Sequence, residues 1–419
     1  METHDQILCE YYGRMLGLTE GWKVSGVDLR LEDKRLELRL GWERSGAICP
    51  GCGASMNRHD LSPERKWRHL DSMGFETILL ARIPRANCPE HGVSQMKVPW
   101  AEKHSRFTLA FEAFVIKVLQ ASRSVEAAKG LLGLNWESIH TIMERAVQRG
   151  VDRRSWEEIE TVGMDEKSFL RGQTYASVLY DLTPGPARVL EVMDGHDAGA
   201  AEMLWEIIPD DVFEKIKAVC LDMSGTFASV AQTMAPHIKV VHDRFHVSKH
   251  LNEAVDQVRR KENKILQDEG DERLKGARHL FLFNPENLPE SRASQFEDLK
   301  NADLKTSRAW AMKENFQEFW KCRTFQEAAA CFKKWKRWVM KSGLPEMIKV
   351  AKMLAKHLEG LLNFTLFPIT NAVAEGFNSK IQSLKADARG FRNALNYRTR
   401  ILFYCGRLDL FPSSTHEIP

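Results

Sequence analysis

Two short pairs of residues in this chain could hold a metal. Cys49-Pro50-Gly51-Cys52 and Cys88-Pro89-Glu90-His91 each place two ligand-type residues three positions apart. Tight turns of this kind aim two ligands at one point, and two such turns complete a tetrahedron. A closed set of three cysteines and one histidine leaves no open coordination position, so the chemistry is that of one structural Zn2+. His59 and His69 are alternative fourth ligands. Zinc alone does not specify DNA, because small zinc modules also bind proteins.

A second group of residues is acidic. Asp165 follows Thr161-Val162-Gly163-Met164, and Asp222 ends Ala218-Val219-Cys220-Leu221. An acid at the end of a buried apolar strand is costly unless it is paired or binds a cation. Glu375 lies in Asn371-Ala372-Val373-Ala374-Glu375-Gly376-Phe377, where Asn371 can cap a helix that presents Glu375 beside the strand acids. Three converging carboxylates would hold hard divalent cations, and Mg2+ prefers such oxygen donors. Two ions of that kind stabilise both the attacking and the leaving oxygen in phosphoryl transfer. Taken singly, each of these acids is most often a solvated surface charge.

Elements must position these groups. Period-two alternation over 27–32 and 35–40 predicts two strands, with Asp33-Lys34 as the turn between them. The 35 residues between Cys52 and Cys88 hold two further strand-like pieces, at 66–70 and 75–83. From Arg106 a helix carries Phe111, Phe114, Val115, Val118 and Leu119 on one face. A short helix from Ser124, a Gly-containing turn between Gly130 and Asn135 and a second helix capped by Asn135 then match a helix-turn-helix. Ser138, His140, Thr141 and Arg145 are its groove-facing candidates; the plain alternative is a helical hairpin. Asp165 opens a three-strand meander, and strands ending at Asp222 and at His242 follow it. The 153 positions from Asp222 to Glu375 are too many for a structureless loop. Helices predicted over 255–269, 310–321, 325–341 and 346–362 therefore form an all-helical insertion. Of its tryptophans Trp310, Trp320, Trp335 and Trp338, most belong to a core, and one could stack on an extruded base.

Several motifs in order resemble a known family. Gly163-Met164-Asp165-Glu166-Lys167, Leu221-Asp222-Met223-Ser224, Val241-His242-Asp243-Arg244-Phe245-His246, Leu251-Asn252-Glu253-Ala254 and Glu375-Gly376-Phe377-Asn378-Ser379-Lys380 are similar to those of bacterial insertion-sequence transposases of the ISL-three family. Gly390-Phe391-Arg392-Asn393 also matches, and the resemblance spans nearly the whole chain. It implies an α/β ribonuclease-H-like catalytic domain whose Asp, Asp, Glu triad is Asp165, Asp222 and Glu375. Asp243 and His246 resemble an accessory motif, with a strand-end hydrogen-bond pair as an equal alternative. The expected organisation is a strand hairpin and zinc module at 1–100 and a helix-turn-helix domain at 101–155. The catalytic domain follows at 156–250, the helical insertion at 251–365, and the final catalytic helices at 366–411.

The resemblance implies a DNA transposase that binds terminal inverted repeats, then cleaves and transfers strands with two Mg2+ ions, for which Mn2+ can substitute. The alternatives are a transposase-derived DNA-binding regulator and a metal-dependent nuclease without transfer. Lys380, Lys385, Arg389 and Arg392 are candidate phosphate contacts. Arg259-Arg260-Lys261 and the run from Lys333 to Trp338 are further basic segments, with solvated helix faces as the plain alternative.

Composition agrees with this. The chain has 419 residues, with 60 Lys and Arg against 57 Asp and Glu, a net charge of +3. That excludes a generally polycationic protein but permits local basic surfaces. Eight cysteines in a chain without a secretory pattern point to a reduced cytosolic protein, not a disulfide scaffold. No uncharged apolar stretch is long enough to span a bilayer. The expected setting is the bacterial cytoplasm, associated with the nucleoid, and joining two DNA ends implies at least a homodimer in the active complex.

Overall fold

A computed structural model describes residues 4–18, 21–122, 124–170, 174–223, 225–282, 290–370, 372–387 and 393–413. The chain forms two compact units, residues 1–154 with 408–419, and residues 155–407.

The first unit begins with helix α1 (His4–Met15), which the alternating pattern downstream does not announce. Strands β1 (Trp22–Arg30) and β2 (Arg35–Trp42) form the expected antiparallel hairpin, with Leu29 opposite Leu36. Lys34 adopts a left-handed φ of 47° in its turn. Then come β3 (Gly46–Ile48), β4 (Ser55–Leu61), β5 (Arg65–Arg68), β6 (Glu76–Ala81), β7 (Pro84–Cys88) and β8 (Gly92–Gln95). They build two four-stranded sheets, in the orders β1-β2-β6-β5 and β3-β4-β7-β8. Trp22, Trp67 and Trp100 meet edge to face in the shared core, at centroid distances of 4.8 and 5.6 Å. Such pairs add about 0.5–1.5 kcal/mol each beyond their burial.

Three helices follow: α2 (Leu109–Ser122), α3 (Val125–Leu132) and α4 (Trp136–Asp152). Ser124 and Asn135 cap α3 and α4 as their types favour, accepting from the N–H groups of Ala127 and Ser138. Gly133 supplies the left-handed residue, φ 60°, that turns the chain between them. The buried face of α2 departs from the expected one. Phe114 is exposed, and Glu112 is fully buried in its place. The physical reason is a charge network: Arg149 on α4 bonds Glu112 and Glu102 at 2.9 Å each and the Leu410 carbonyl at 2.6 Å. Residues 408–411, expected with the final catalytic helices, thus belong to the first unit, where Arg153 also bonds Asp409 and the Phe411 carbonyl.

The second unit is built on one sheet. Strands β9 (Thr161–Leu170), β10 (Thr174–Asp181) and β11 (Arg188–Asp194) make the expected antiparallel meander. Helices α5 (Ala198–Glu206) and α6 (Asp210–Phe213) lead to β12 (Ala218–Leu221), and α7 (Gly225–Met234) leads to β13 (Lys239–His242). The order is β11-β10-β9-β12-β13, with β12 parallel to both β9 and β13. Val162, Met164, Leu179, Leu190, Val219 and Leu221 pack from one face onto α5 and α7.

A helical run then separates β13 from the last two helices. It comprises α8 (Arg244–Asp268), α9 (Arg278–Leu282), α10 (Glu290–Asn301), α11 (Lys305–Phe316), α12 (Phe325–Met340), α13 (Pro345–Lys356) and α14 (Leu358–Leu362). Trp310, Trp320 and Trp335 are buried in its core. Trp338, 42% exposed, is the only one of the four open to solvent. Helices α15 (Ala372–Asp387) and α16 (Ala394–Cys405) complete the unit. Glu191, buried on β11, takes a bidentate ion pair from Arg398 at 2.6 and 2.7 Å, which holds α16 on the sheet face opposite α5 and α7.

Candidate functional site

The zinc-type turns sit where two hairpins end. Cys49 follows β3 and Cys88 ends β7, and the ligand atoms of Cys49, Cys52, Cys88 and His91 all lie within 4.8 Å of one another. Cys52 Sγ is 3.9 Å from Cys88 Sγ, and Cys88 Sγ is 3.5 Å from His91 Nδ1. A tetrahedral ion with Zn–S of ~2.3 Å and Zn–N of ~2.0 Å demands edges of about 3.8 and about 3.5 Å. The spacing therefore fits Zn2+ bound through Nδ1 of the histidine. Backbone N–H groups inside the turns, led by those of Cys52 and His91, lower the pKa of the Cys49 and Cys88 thiols. A Cβ on Gly51 would sit 2.6 Å from His91 Cδ2, so a bare backbone is required there.

The candidate recognition helix α4 divides its expected residues. Thr141 is exposed and Ser138 half-buried. His140 stacks on Trp136 at 4.6 Å and pairs with Glu144 at 3.1 Å. Arg145 turns inward, bonding half-exposed Glu102 at 2.6 Å and approaching buried Glu112 at 3.5 Å, so these acids hold it off the outer face.

On the second unit's sheet, Ala218, Val219 and Cys220 pair with Thr161, Val162 and Gly163. Carrying that register two residues on sets Asp222 level with Asp165. The same row continues onto β13, since Leu221 pairs with His242 and the Asp243 N–H donates to the Leu221 carbonyl at 2.9 Å. Neighbouring strands lie about 4.8 Å apart. Asp165, in the middle of β9, and Asp222 and Asp243, just past the carboxyl ends of β12 and β13, thus follow one another across three parallel strands. Side-chain alternation turns Asp165 away from the core residues Val162 and Met164 and toward the face of Tyr180. Burial, with the Asp165 charge adding to it, raises the pKa of the Tyr180 phenol well above its ordinary value.

Helix α15 crosses that face, and three contacts fix its course. Thr370, two residues before it, donates to Asp243 Oδ1 at 3.0 Å. Phe377 stacks on Tyr180 at 5.9 Å. Lys385 donates to the Ser168 carbonyl at 3.1 Å. Glu375 is on the first turn of α15, between the first two contacts. Its side chain lies outside the described residues, as do Arg389 and Arg392.

Asp243 is buried and caps α8 through the Phe245 N–H, with His246 Nδ1 3.5 Å from its other oxygen. Sequence reasoning passed over His242. Its Nδ1 donates to the Asp222 carbonyl at 3.2 Å, and its ring meets His357 edge to face at 5.0 Å. Burial pushes the pKa of His242 down to about 4, so the ring is neutral. A buried histidine directly before an acid at a strand end is the sequence signal that could have found it.

The basic tail is largely committed to the fold. Lys380 donates to the Tyr404 carbonyl at 2.5 Å, Lys385 is bonded as above, Arg398 pairs with Glu191, and Arg400 is buried. Arg259 and Arg260 both bind the buried Asp256, and Lys261 binds Glu346.

Comparison with known proteins agrees with this order of parts. Residues 45–91 match the zinc-finger of transposase IS204/IS1001/IS1096/IS1165, and residues 96–147 the helix-turn-helix domain of transposase family ISL3. Residues 162–401 match the ISL3-type DDE family described as Transposase. The chain belongs to the ISL3 family of transposases and is a DDE-type DNA transposase. It is 26% identical over 385 residues to the transposase for insertion sequence element IS1001 of Bordetella parapertussis, covering 89% of this chain and 93% of that protein. It is 27% identical over 372 residues to the transposase for insertion sequence element IS1557 of Mycobacterium tuberculosis, covering 82% of each. Among the described residues, no helix is long and apolar enough to cross a membrane.

Proposed function

We propose that this transposase binds the terminal inverted repeats of an insertion sequence through its zinc module and helix-turn-helix. It then cleaves and joins DNA strands at a site formed by Asp165, Asp222 and Glu375. One observation carries the reading: Asp222 stands level with Asp165 on parallel neighbouring strands, while α15 is tied down on either side of Glu375, at Asp243 and at Tyr180. A meander followed by two parallel strands, in the order β11-β10-β9-β12-β13, is the arrangement of a ribonuclease-H-like domain, and α8 to α14 then form its helical insertion.

The donor chemistry fits Mg2+, with one carboxylate on β9, a second level with it just past the end of parallel β12, and a third acid on the helix crossing them. Bound there, a pair of Mg2+ ions supplies charge stabilisation to both the entering and the leaving oxygen. The chain's own residues hold and orient. Asp165 and Asp222 present their oxygens from a rigid sheet, and Asp243 anchors the entry to the Glu375 helix through Thr370. His242 steadies the Asp222 backbone. The active complex contains at least two copies, one for each element end.

The test is substitution of Asp165, Asp222 or Glu375 by Ala, with end binding and Mg2+-dependent cleavage measured on the same terminal-repeat duplex. Binding within about twofold of wild type with cleavage abolished is expected. Cleavage by the Asp222→Ala protein at the wild-type rate would remove that residue from the site.

A further inference from the structure

The strongest unassigned feature is the outer surface of the α12–α13 hairpin. Helix α12 buries Ala328, Phe332, Trp335 and Val339. Its opposite side carries Lys333, Arg337 and Lys341 at one-turn intervals, with Lys334 and Trp338 in the adjoining row, all exposed. Helix α13 buries Met347, Val350, Ala351 and Leu354 and exposes Lys349, Lys352 and Lys356 on the reverse side. The only acids on the two helices are engaged elsewhere. Glu327 closes the capping box at Thr324, and Glu346 is bound by Lys261. These cations form no ion pair among the described residues, whereas Arg259, Arg260 and Lys261 all do. A surface cation left unneutralised beside several others raises the free energy of the folded chain by mutual repulsion unless counter-charge arrives.

We propose that this hairpin is a second DNA surface of the transposase, one that grips duplex phosphates without reading sequence. The stripe from Lys333 to Lys341 spans roughly 12 Å at the helical rise of 1.5 Å per residue. That equals the axial rise of three to four phosphates on one strand, at about 3.4 Å each. Lysine-rich helix faces of this kind contact backbone and carry no base readout. The zinc module and helix-turn-helix then supply end specificity, and the hairpin holds flanking or target duplex by charge. The inference rests on the reading of the chain as one that cuts and joins DNA.

The test uses the full chain and two triple variants, Lys333→Gln/Arg337→Gln/Lys341→Gln and Lys349→Gln/Lys352→Gln/Lys356→Gln. Their affinity for a duplex of arbitrary sequence is measured between 50 and 200 mM salt. Losing three phosphate contacts lowers the log–log salt slope by about 2.7. Over that fourfold range, salt then weakens the variant by roughly 40-fold less than it weakens wild type. The expected result is that shallower slope in at least one triple, with wild-type thermal stability. Wild-type slopes in both triples overturn the proposal. So does a variant that keeps its DNA affinity and loses binding to polyglutamate, which would assign the surface to an acidic protein. The Asp222→Ala protein run in parallel separates the two readings. Full cleavage by that protein refutes the metal site, whereas unchanged salt slopes in the triples refute only the DNA surface.

Discussion

Arg149 is the residue whose removal tests the architecture of the DNA-recognition unit most sharply. Its guanidinium makes three bonds, to Glu112 and Glu102 at 2.9 Å and to the Leu410 carbonyl at 2.6 Å. In the Arg149→Met variant, fully buried Glu112 retains the Ser105 hydroxyl at 2.8 Å and Arg145 at 3.5 Å. Breaking a buried pair from one side costs about 3–5 kcal/mol when the survivor loses its main counter-charge, as Glu112 does with only the longer Arg145 contact left. For a unit of this size that lowers Tm by roughly 6–20 °C. Urea unfolding followed by the fluorescence of the Trp22–Trp67–Trp100 cluster reads the loss. The pH dependence has a definite sign. Burial raises the pKa of Glu112 above its ordinary value, against the pull of Arg145 and Arg149. An acid whose folded pKa is raised carries no penalty below its unfolded value of ~4.3, and one that builds as pH rises from there to the folded value and then levels off. The deficit of the variant therefore shrinks as pH is lowered toward 4. Adding Glu112→Gln to Arg149→Met should restore more than half of the lost stability. A single-variant cost below about 1 kcal/mol, or no recovery in the double variant, would refute the account of buried charge as the cause.

Two other perturbations test local packing. Gly51→Ala forces a methyl against the His91 ring, so zinc affinity in chelator competition should fall by about 10–100-fold, the usual effect of disturbing a ligand's support; an unchanged affinity would show that the turn is not close-packed. His242, with its pKa held near 4 by burial, binds its proton only after the unfolded chain has done so, and it weakens the second unit as pH falls from ~6.5 toward 4. This amounts to about 3 kcal/mol at the acid end, and the stability profile of His242→Asn should be flatter across that interval.

Much of the fold was legible because its signals are local. Period-two runs placed β1 and β2, and the Asn135 cap with a Gly-containing turn before it placed α3 and α4. The apolar runs ending at Asp222 and His242 placed β12 and β13. The zinc ligands were legible because their spacing is itself the geometry. What escaped was set by distant partners. Glu112 replaces Phe114 inside α2 only because Arg149, 37 residues on, supplies a counter-charge. Arg145 looked groove-facing by helical position, yet Glu102 draws it inward. The tail lysines looked like a phosphate stripe, but Lys385 and Arg398 pin helices to the sheet. The pairing state of a charge is a tertiary property, and the free cations on α12 and α13 could be told from the committed ones only once their neighbours were in place.

The bond from Arg149 to the Leu410 carbonyl also orders events in time. Residues 408–413 close the first unit, yet they are synthesised only after the whole of 155–407. A nascent chain still on the ribosome holds its zinc module and helix-turn-helix with the Arg149 network incomplete. The first unit therefore reaches its full set of bonds only after the chain has passed through the whole of the second.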